Sequence, residues 1–269
     1  MQKFITYHLQ RIGTWLLQWP LVQKGKKRFP ALFRFIAARF STQDFSGLPL
    51  TILVMVFLFN VLLLSQLAES VLESEGMVTL DKMVTKMLFE ARSGHLSIAF
   101  YWLSHLGTRE ATFVVGGLLT VLFLLKRDLA PILTFWLVMA GVGLSVRYGK
   151  TFINRDRPVD VAYYVEHNLS FPSGHATTAM ALFGLCAYFA LTQPLSRSRR
   201  RLILGSTAGL IAGIGFSRIY LGVHFLSDVL AGFLLGALWL LLGISVMELL
   251  VHRRRQQGPG RADARPPAG

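Results

Sequence analysis

Cysteine and charged residues are scarce in this chain. Cys186 is the only cysteine among 269 residues, so no intrachain disulfide can form and cysteine usage does not indicate the redox compartment. Charged residues account for 16% of the sequence, well below the roughly 25% that is usual in soluble proteins. Hydrophobic residues account for 53%, and the mean hydropathy is +0.49. These values exclude an ordinary soluble domain and indicate a membrane protein.

Acidic residues are fewer than basic ones, with 14 Asp and Glu against 28 Lys and Arg and a formal net charge of +14. Such an excess is typical of nucleic-acid binding, but the chain has no zinc-finger, homeodomain or basic-zipper pattern. We therefore expect no nucleic-acid partner. The chain also has no His-x-x-Glu-His motif and no cysteine pair at zinc spacing, so we expect no metal site and no cofactor.

Apolar runs of about 20 residues, the length of a membrane-spanning helix, recur along the chain. They predict an all-α bundle of about six transmembrane helices. The second run is the weakest, because polar residues between Ser104 and Glu110 crowd its start and its apolar part begins at Ala111. The predicted spans are Leu48–Leu67, Leu106–Leu125, Leu129–Gly149, His175–Thr192, Leu202–Tyr220 and Val229–Leu250.

The segments around the spans differ from them in composition. Residues 1–46 form a basic N-terminal arm without a clear secretory signal, in which residues between Phe4 and Leu17 predict a helix lying in the membrane interface. Residues 47–250 form the transmembrane domain, and residues 251–269 are predicted to be a disordered basic tail. Within the domain, residues 69–95 predict an external amphipathic connection.

The distribution of Lys and Arg orients the chain in the membrane. With the N-terminus in the cytoplasm, the basic arm, the Lys126–Arg127 pair, the run at 197–201 and the basic tail all lie inside. We therefore predict cytoplasmic termini in a bacterial inner (plasma) membrane. The loops after the third and fifth spans then face the periplasm.

Small residues recur at four-residue spacing in three of the spans. Such rows let helix backbones approach closely and predict packing of the third, fifth and sixth spans against one another. They are also compatible with a homodimer. The rows are Gly141, Ser145 and Gly149, then Gly205, Gly209 and Gly213, then Gly232 and Gly236.

Three polar clusters stand at the ends of these apolar segments, where ionisable residues usually indicate function. The first runs from Lys150 to Arg157 and Pro158, and its cations can bind phosphate oxygens. A basic flank that reaches the lipid headgroups would have the same composition. Its place on the outer face, against the orientation rule, favours an anion site.

The second cluster, Pro172–Ser173–Gly174–His175, opens the fourth span. A turn that leads into a helix N-terminus presents free N–H groups and the positive end of the helix dipole, which bind anions. Gly174 permits close approach of a ligand, Ser173 can donate a hydroxyl, and His175 can deliver a proton. A serine cap and an interfacial histidine would be the non-functional interpretation.

The third cluster joins the fifth and sixth spans and contains Ser217, Arg218, His224 and Asp228. His224 and Asp228 are four residues apart, which on a helix places them on one face within hydrogen-bonding reach. A carboxylate that holds one imidazole nitrogen leaves the other free as a nucleophile or base. Arg218 can join the phosphate-binding cations.

Together the clusters resemble the signature of the type 2 phosphatidic acid phosphatase (PAP2) superfamily of integral membrane phosphatases. Its usual form is Lys-x6-Arg-Pro, Pro-Ser-Gly-His and Ser-Arg-x5-His-x3-Asp, and all three parts are present in order with intact spacing. The resemblance covers roughly residues 95–250 and implies six spanning helices with the motifs on one side. Asp156 departs from the pattern, since many relatives carry a less charged residue there.

The resemblance also implies a role for each matched position. His224 would attack phosphorus and form a phosphohistidine intermediate, oriented by Asp228, and His175 would protonate the leaving oxygen. These roles agree with the chemistry of phosphoryl transfer, which depends mostly on positioning and charge stabilisation. The implied phosphate-binding residues are Lys150, Arg157, Ser173, Gly174 and Arg218.

The implied substrate is a lipid phosphomonoester or diphosphate whose tail stays in the bilayer. Undecaprenyl diphosphate, phosphatidylglycerol phosphate, phosphatidic acid and lipid A phosphates all fit, and the short external loops favour a polyprenyl diphosphate. A phosphotransferase of the same superfamily would instead pass the phosphoryl group to a second lipid. A transporter or flippase would need no nucleophile, so the His224–Asp228 pair argues against it. Vanadate-dependent haloperoxidases share the motifs but are soluble, so the predicted membrane spans argue against that activity.

Overall fold

The computed structural model describes Gln23, residues 26–40, Phe45 and residues 47–257, and these ranges form helices, turns and loops without strands. The described part contains nine helices, which we number in chain order. They are α1 (Pro30–Arg39), α2 (Leu48–Glu73), α3 (Glu75–Glu90), α4 (Gly94–His105), α5 (Arg109–Leu125), α6 (Leu129–Ile153), α7 (Gly174–Leu191), α8 (Arg197–Tyr220) and α9 (Leu226–Gln257).

The chain divides into two compact units, residues 1–54 and residues 55–269. In the first unit, the described helices are α1 and the beginning of α2. The second unit contains helices α3–α9 and every residue of the predicted site.

Of the described helices, five are long and apolar enough to cross a membrane: α2, α6, α7, α8 and residues Leu226–Arg254 of α9. Helices α4 and α5 meet at a bend of 47° and give a sixth span when they are counted together. The predicted all-α bundle of about six spanning helices is therefore confirmed. The helices are hydrophobic enough to place the chain in a membrane as an integral protein.

The helices differ from the predicted spans mainly at their ends. Helix α6 continues to Ile153, so Lys150 lies in its last turn and not after it. Helix α9 continues to Gln257, so the prediction of a disordered tail is wrong for residues 251–257. The predicted span Leu106–Leu125 begins later, because helix α5 starts at Arg109 and the separate helix α4 precedes it in the chain. The predicted interfacial helix between Phe4 and Leu17 and residues 258–269 lie outside the described residues.

Side chains and a left-handed residue determine where several helices begin and end. Asp128 Oδ1 accepts a hydrogen bond from Ala130 N at 3.3 Å and caps the start of α6. The same helix stops at Asn154, which has φ 50 and whose N–H donates to Lys150 O. Each cap satisfies a backbone group that the helix leaves unpaired. The other capping side chains are Ser74 in α3, Ser93 in α4, Thr108 in α5 and Ser196 in α8.

Helices α6, α7 and α9 surround the main hydrophobic core. Trp239 and Leu240 of α9 pack against buried side chains of α6 and α7. Because lipid tails are as apolar as these side chains, close packing and not removal from water holds the helices together in the membrane. The buried residues are Phe135, Val138, Met139, Val142, Ala181, Leu182, Leu185 and Phe189.

The small-residue row of the third span packs against the sixth span as predicted, whereas the row of the sixth span packs against the fourth span and not against the third or fifth. A Cβ added to Gly141 would lie 2.1 Å from the Trp239 ring, and one added to Gly232 would lie 2.7 Å from Ser173 O. Within the described structure, a Cβ at Gly205 or Gly209 would meet no atom within 4 Å. Helix α9 therefore packs closely on α6 and α7, whereas α8 is open at Gly205 and Gly209 and approaches Leu103 of α4 at Gly213. The homodimer stays a prediction.

Helix α3 occupies most of the segment predicted to be an amphipathic connection. Val84 and Leu88 on its inner face pack against the cluster that contains Ile219 of α8 and Val229 of α9. The side chains of Lys86 and Glu90 on the same helix are 79% and 65% exposed. The segment is therefore an amphipathic helix that covers the end of the bundle where α8 leads into α9.

The turn between α8 and α9 requires Gly222. This residue has φ +68, and a Cβ on it would lie 2.4 Å from Val161 O. Only glycine adopts this conformation at no steric cost and allows such close approach. Tyr163 N donates to Leu221 O at 2.9 Å, which ties the turn to the loop after α6. The turn places His224 at the predicted site.

We expect Gly236→Ala to lower the melting temperature, because the new Cβ would lie 2.5 Å from the backbone atom Thr177 O, which cannot move aside independently. Gly209→Ala is the matched control, and we expect it not to lower the melting temperature. No described atom lies within 4 Å of its Cβ, and alanine favours a helix by about 1 kcal/mol over glycine. Thermal unfolding of both variants in one detergent measures the difference. Equal melting temperatures would contradict the packing of α9 on α7.

Candidate active site

The three predicted clusters come together at one end of the bundle. The first spans the end of α6 and the following loop, the second begins α7, and the third joins α8 to α9. Because successive spanning helices run in opposite directions, these ends meet on the same side. Lys150, Arg157, Gly174, His175 and His224 line one cleft of about 990 Å³. The remaining predicted residues, Ser173, Arg218 and Asp228, are fully buried.

His224 and Asp228 are in contact, but they do not lie on one helix as predicted. His224 is in the turn before α9, and Asp228 is in the first turn of that helix. Asp228 Oδ2 accepts a hydrogen bond from Phe225 N at 2.8 Å, as in the reverse half of a capping box. The same oxygen lies 3.5 Å from His224 Nδ1. One carboxylate therefore caps the helix and faces the imidazole.

Two residues that were not predicted from the sequence complete the surroundings of the Asp228 carboxylate. Ser170 Oγ donates to Oδ2 at 2.5 Å and lies 3.3 Å from His224 Nδ1. Arg155 Nη1 donates to Oδ1 at 2.7 Å. Both residues come from the loop after α6, where Ser170 N donates to Arg155 O at 2.8 Å. This loop therefore holds both oxygens of the carboxylate.

Arg157 connects the same loop to the other side of the His224 ring. Its Nη1 lies 3.2 Å from His224 Nε2 and donates to Val223 O at 2.5 Å. A guanidinium only donates, so Nε2 accepts and the proton of the neutral imidazole is on Nδ1, which faces Asp228. Lys150 Nζ donates to Leu169 O nearby. The ring thus presents a lone pair on Nε2 to the side where the cations gather.

Glu166 bridges two of the predicted phosphate-binding arginines. Its Oε2 lies 2.7 Å from Arg157 Nη2, and its Oε1 accepts from Arg218 Nη2. Arg218 Nη1 also donates to Tyr164 OH. A carboxylate and a phosphate present similar paired oxygens to a guanidinium. Glu166 therefore uses donors that a phosphate group would otherwise bind.

These charges determine the ionisation of Glu166 and His224. Burial alone would raise the pKa of Glu166, but Arg218 and Arg157 outweigh it and lower that pKa to about 2. Burial lowers the pKa of His224 to about 4. The hydrogen bond to Asp228 opposes this second shift, whereas Arg157 and Arg218 add to it. Near neutral pH, Glu166 is an anion and His224 is a neutral imidazole.

Two fully buried donors at the site, Ser173 Oγ and Arg218 Nε, have no hydrogen-bond partner in the described structure. Ser173 is the N-cap residue of α7, where the first N–H groups of the helix have no acceptor within the helix. Buried donors without acceptors cost free energy. An anion with several oxygens would satisfy them and would also interact favourably with the helix dipole.

His175 lies in the first turn of α7 and lines the same cleft as His224. From there the cleft continues between α5 and α6, past Phe113, Trp136 and Leu144. Phe113 is 60% exposed and Leu144 is 55% exposed on these spanning helices. The cleft therefore joins a cationic end to an apolar side that faces the lipid.

The part of the chain that the structure describes contains no group of three or more His, Cys, Asp or Glu side chains that could hold a metal ion. Instead, arginines pair with the carboxylates at the site. The structure brings all the predicted site residues to one region. It also adds contacts that no spacing rule indicates, because their partners are distant in sequence. The residues found only from the structure are Asp81, Arg155, Tyr164, Glu166, Ser170 and Ser227.

Comparisons with known proteins agree with this arrangement. The model of the PAP2 superfamily matches residues 131–251, which include all three clusters. Phosphatidylglycerophosphatase B of Bacillus subtilis (strain 168) is 30% identical over 205 residues, which cover 76% of this chain and 98% of that protein. Decaprenylphosphoryl-5-phosphoribose phosphatase of Mycobacterium tuberculosis is 32% identical over 150 residues, which cover 50% of this chain and 71% of that protein.

A solved structure shares the fold. It is the crystal structure of a transmembrane PAP2 type phosphatidylglycerolphosphate phosphatase from Bacillus subtilis, which aligns with a TM-score of 0.62 and 24% identity. The alignment covers 76% of this chain and 98% of that one. The family match, the named relatives and the shared fold agree with one another. The chain is therefore a membrane-spanning phosphatase of the PAP2 superfamily.

Proposed function

We propose that the protein is a metal-independent lipid phosphatase that hydrolyses a lipid phosphomonoester, with phosphatidylglycerol phosphate as its substrate. The observation that carries this proposal is the pair of buried, unpartnered donors, Ser173 Oγ and Arg218 Nε. They belong to the same site as Arg157 and the unprotonated Nε2 of His224, which lies 3.2 Å from Arg157 Nη1. Such a set of donors matches the oxygens of one phosphate group held in front of a nucleophile.

His224 is the nucleophile in this proposal. Its Nε2 attacks phosphorus, an N–P bond forms, and the P–O bond to the lipid breaks. His175 gives its proton to the leaving oxygen. Water then attacks phosphorus, the N–P bond breaks, and one proton of the water goes to His175. The tautomer with Nδ1–H facing Asp228 supports this role, because it leaves Nε2 unprotonated and able to attack once Arg157 Nη1 binds the phosphate instead.

The equatorial oxygens of the phosphate would bind the cationic end of the cleft. Arg157 and Arg218 already bind a carboxylate there, which supports their assignment as anion-binding residues. Phosphate binding then requires the Glu166 carboxylate to leave at least one of the two guanidinium groups. The other groups proposed to hold the phosphate are Lys150, the Ser173 hydroxyl and the first N–H groups of α7, beginning at Gly174.

The cleft and the relatives support a lipid substrate. The apolar side between α5 and α6 offers a place for a hydrocarbon chain, while the phosphate stays at the cationic end. The names of the Bacillus and Mycobacterium relatives describe phosphate esters carried by a lipid. The relatives therefore favour a phosphomonoester over the polyprenyl diphosphate preferred from the sequence. The His224–Asp228 contact supports an enzyme and not a flippase.

We also propose that the site faces the periplasm of the inner membrane, with both termini in the cytoplasm. The end of the bundle opposite the site carries Lys126, Arg127 and the basic start of α8, which the positive-inside rule places in the cytoplasm.

In a Cys186→Ala background, an impermeant maleimide should label Val165→Cys on intact cells, since Val165 is 76% exposed. Arg199→Cys should react only after permeabilisation. The reverse pattern would overturn the orientation.

We expect purified protein to release phosphate from phosphatidylglycerol phosphate in EDTA, because the proposed chemistry uses imidazole and cationic side chains. The assay compares this substrate with phosphatidic acid and undecaprenyl diphosphate, and His224→Gln is the inactive control. Activity that is lost in EDTA and restored by Mg²⁺ would refute the metal-independent mechanism. Faster hydrolysis of undecaprenyl diphosphate would replace the proposed substrate. Transfer to an added lipid instead of phosphate release would indicate a phosphotransferase.

A further inference from the structure

Asp81 is a fully buried carboxylate on α3, a helix outside the signature. It lies on the inner face of α3, one turn away from the buried Thr85. A carboxylate taken out of water strongly destabilises the fold unless it is paired and hydrogen-bonded. The position of Asp81 therefore requires partners within the bundle.

Those partners lie directly beside the proposed catalytic pair. Asp81 Oδ2 is 2.7 Å from Arg155 Nη2 and accepts from Ser227 Oγ. Asp81 Oδ1 accepts from Ser227 N at 3.0 Å. Ser227 immediately precedes Asp228 in the first turn of α9. Helix α3 is thus attached to the start of the helix that carries the Asp228 carboxylate.

Arg155 connects the two carboxylates. While Nη2 binds Asp81, Nη1 donates to Asp228 Oδ1 at 2.7 Å and to Ser227 Oγ at 2.7 Å. The guanidinium carbon also lies 4.3 Å from the centre of the Phe225 ring. A guanidinium is a rigid planar fork, so fixing one of its nitrogens fixes the direction of the other. Asp81 therefore determines where Arg155 presents its donor to Asp228.

We propose that Asp81 and Arg155 are positioning residues of the phosphatase reaction, which hold the Asp228 carboxylate so that it orients His224. Asp81 fixes Arg155, Arg155 binds Oδ1 of Asp228, and Oδ2 is left to face Nδ1 of His224. Arg155 is one of the unspecified positions between Lys150 and Arg157 in the signature. The inference rests on the proposed function, in which His224 is the nucleophile.

The pair also balances charge beside Asp228. With both residues present, the negative charge of Asp81 and the positive charge of Arg155 offset each other. Removing the charge of Arg155 alone adds net negative charge near His224 and favours its protonation, whereas removing both charges restores the balance. The other charged or titratable groups that face His224 are unchanged in these variants. They are Lys150 on α6, Arg157 and Glu166 in the following loop, His175 on α7, Arg218 on α8 and Asp228 on α9.

The test compares Arg155→Gln with the double variant Asp81→Asn/Arg155→Gln. The acidic limb of the pH profile of kcat/KM reports the deprotonation of His224, because only the neutral imidazole can attack phosphorus. The pKa of His224 is about 4. In Arg155→Gln we expect this limb to move to higher pH by about one unit. In the double variant it should return towards the wild-type position. All variants are assayed with the same lipid phosphate, so the ionisation of the substrate does not affect the comparison.

Rates provide a second readout. In Arg155→Gln we expect kcat to fall about tenfold to a hundredfold, as for the loss of one charge-assisted hydrogen bond. KM should not change, because the phosphate-binding cations stay in place. The position of the acidic limb does not depend on how much protein folds, so a poorly folded variant still gives a result. Lys86→Gln, on the exposed side of α3, is the matched control and should match the wild type.

The outcomes separate this inference from the proposed function. One outcome is that His224→Gln is inactive while the acidic limb of the kcat/KM profile of Arg155→Gln stays at the wild-type pH. Asp81 and Arg155 then have only a structural role, and the inference is wrong. A limb that remains displaced in the double variant would likewise refute the charge balance. If His224→Gln retains turnover, His224 is not the nucleophile and the mechanism proposed for the phosphatase is wrong.

Discussion

A carboxylate buried at the start of a membrane helix must be matched by donors, and at Asp228 those donors come from separate parts of the chain. Arg155 and Ser170 reach it from the loop after α6, and Phe225 N reaches it from the turn before α9. Together these contacts fix a carboxylate that faces the His224 imidazole. The loop, the Gly222 turn and the start of α9 are therefore constrained by one buried charge.

At the site, the carboxylates of Asp81, Asp228 and Glu166 are all paired with arginines, but two buried donors are left without partners among the described residues. Asp81 and Asp228 share Arg155, and Glu166 binds Arg157 and Arg218. One nitrogen of Arg218 and the Ser173 hydroxyl still have no partner in the described structure. These two donors are available to an anion. Glu166 binds the Nη2 atoms of Arg157 and Arg218, so it would compete with a phosphate group for these arginines.

Much of the fold and the site could be predicted from local sequence, because spans follow from apolar length and the three clusters follow from motif spacing. The helical placement of the His224–Asp228 pair was wrong, since Asp228 caps the helix on which it lies and His224 sits in the preceding turn. The roles of Asp81 and Glu166 in the charge network depend on tertiary contacts with residues far along the chain or across a loop. No periodicity encodes such contacts.

Trapping the phosphoenzyme tests the central claim most directly. Purified protein is mixed with a radiolabelled aryl phosphate, quenched in alkali, and mapped by mass spectrometry. We predict an alkali-stable, acid-labile phosphoryl group on His224 in the wild type. His175→Gln should still form it, because a good leaving group needs little protonation, and His224→Gln should not. A phosphoryl group on any other residue, or a labelled His224→Gln variant, would contradict the account.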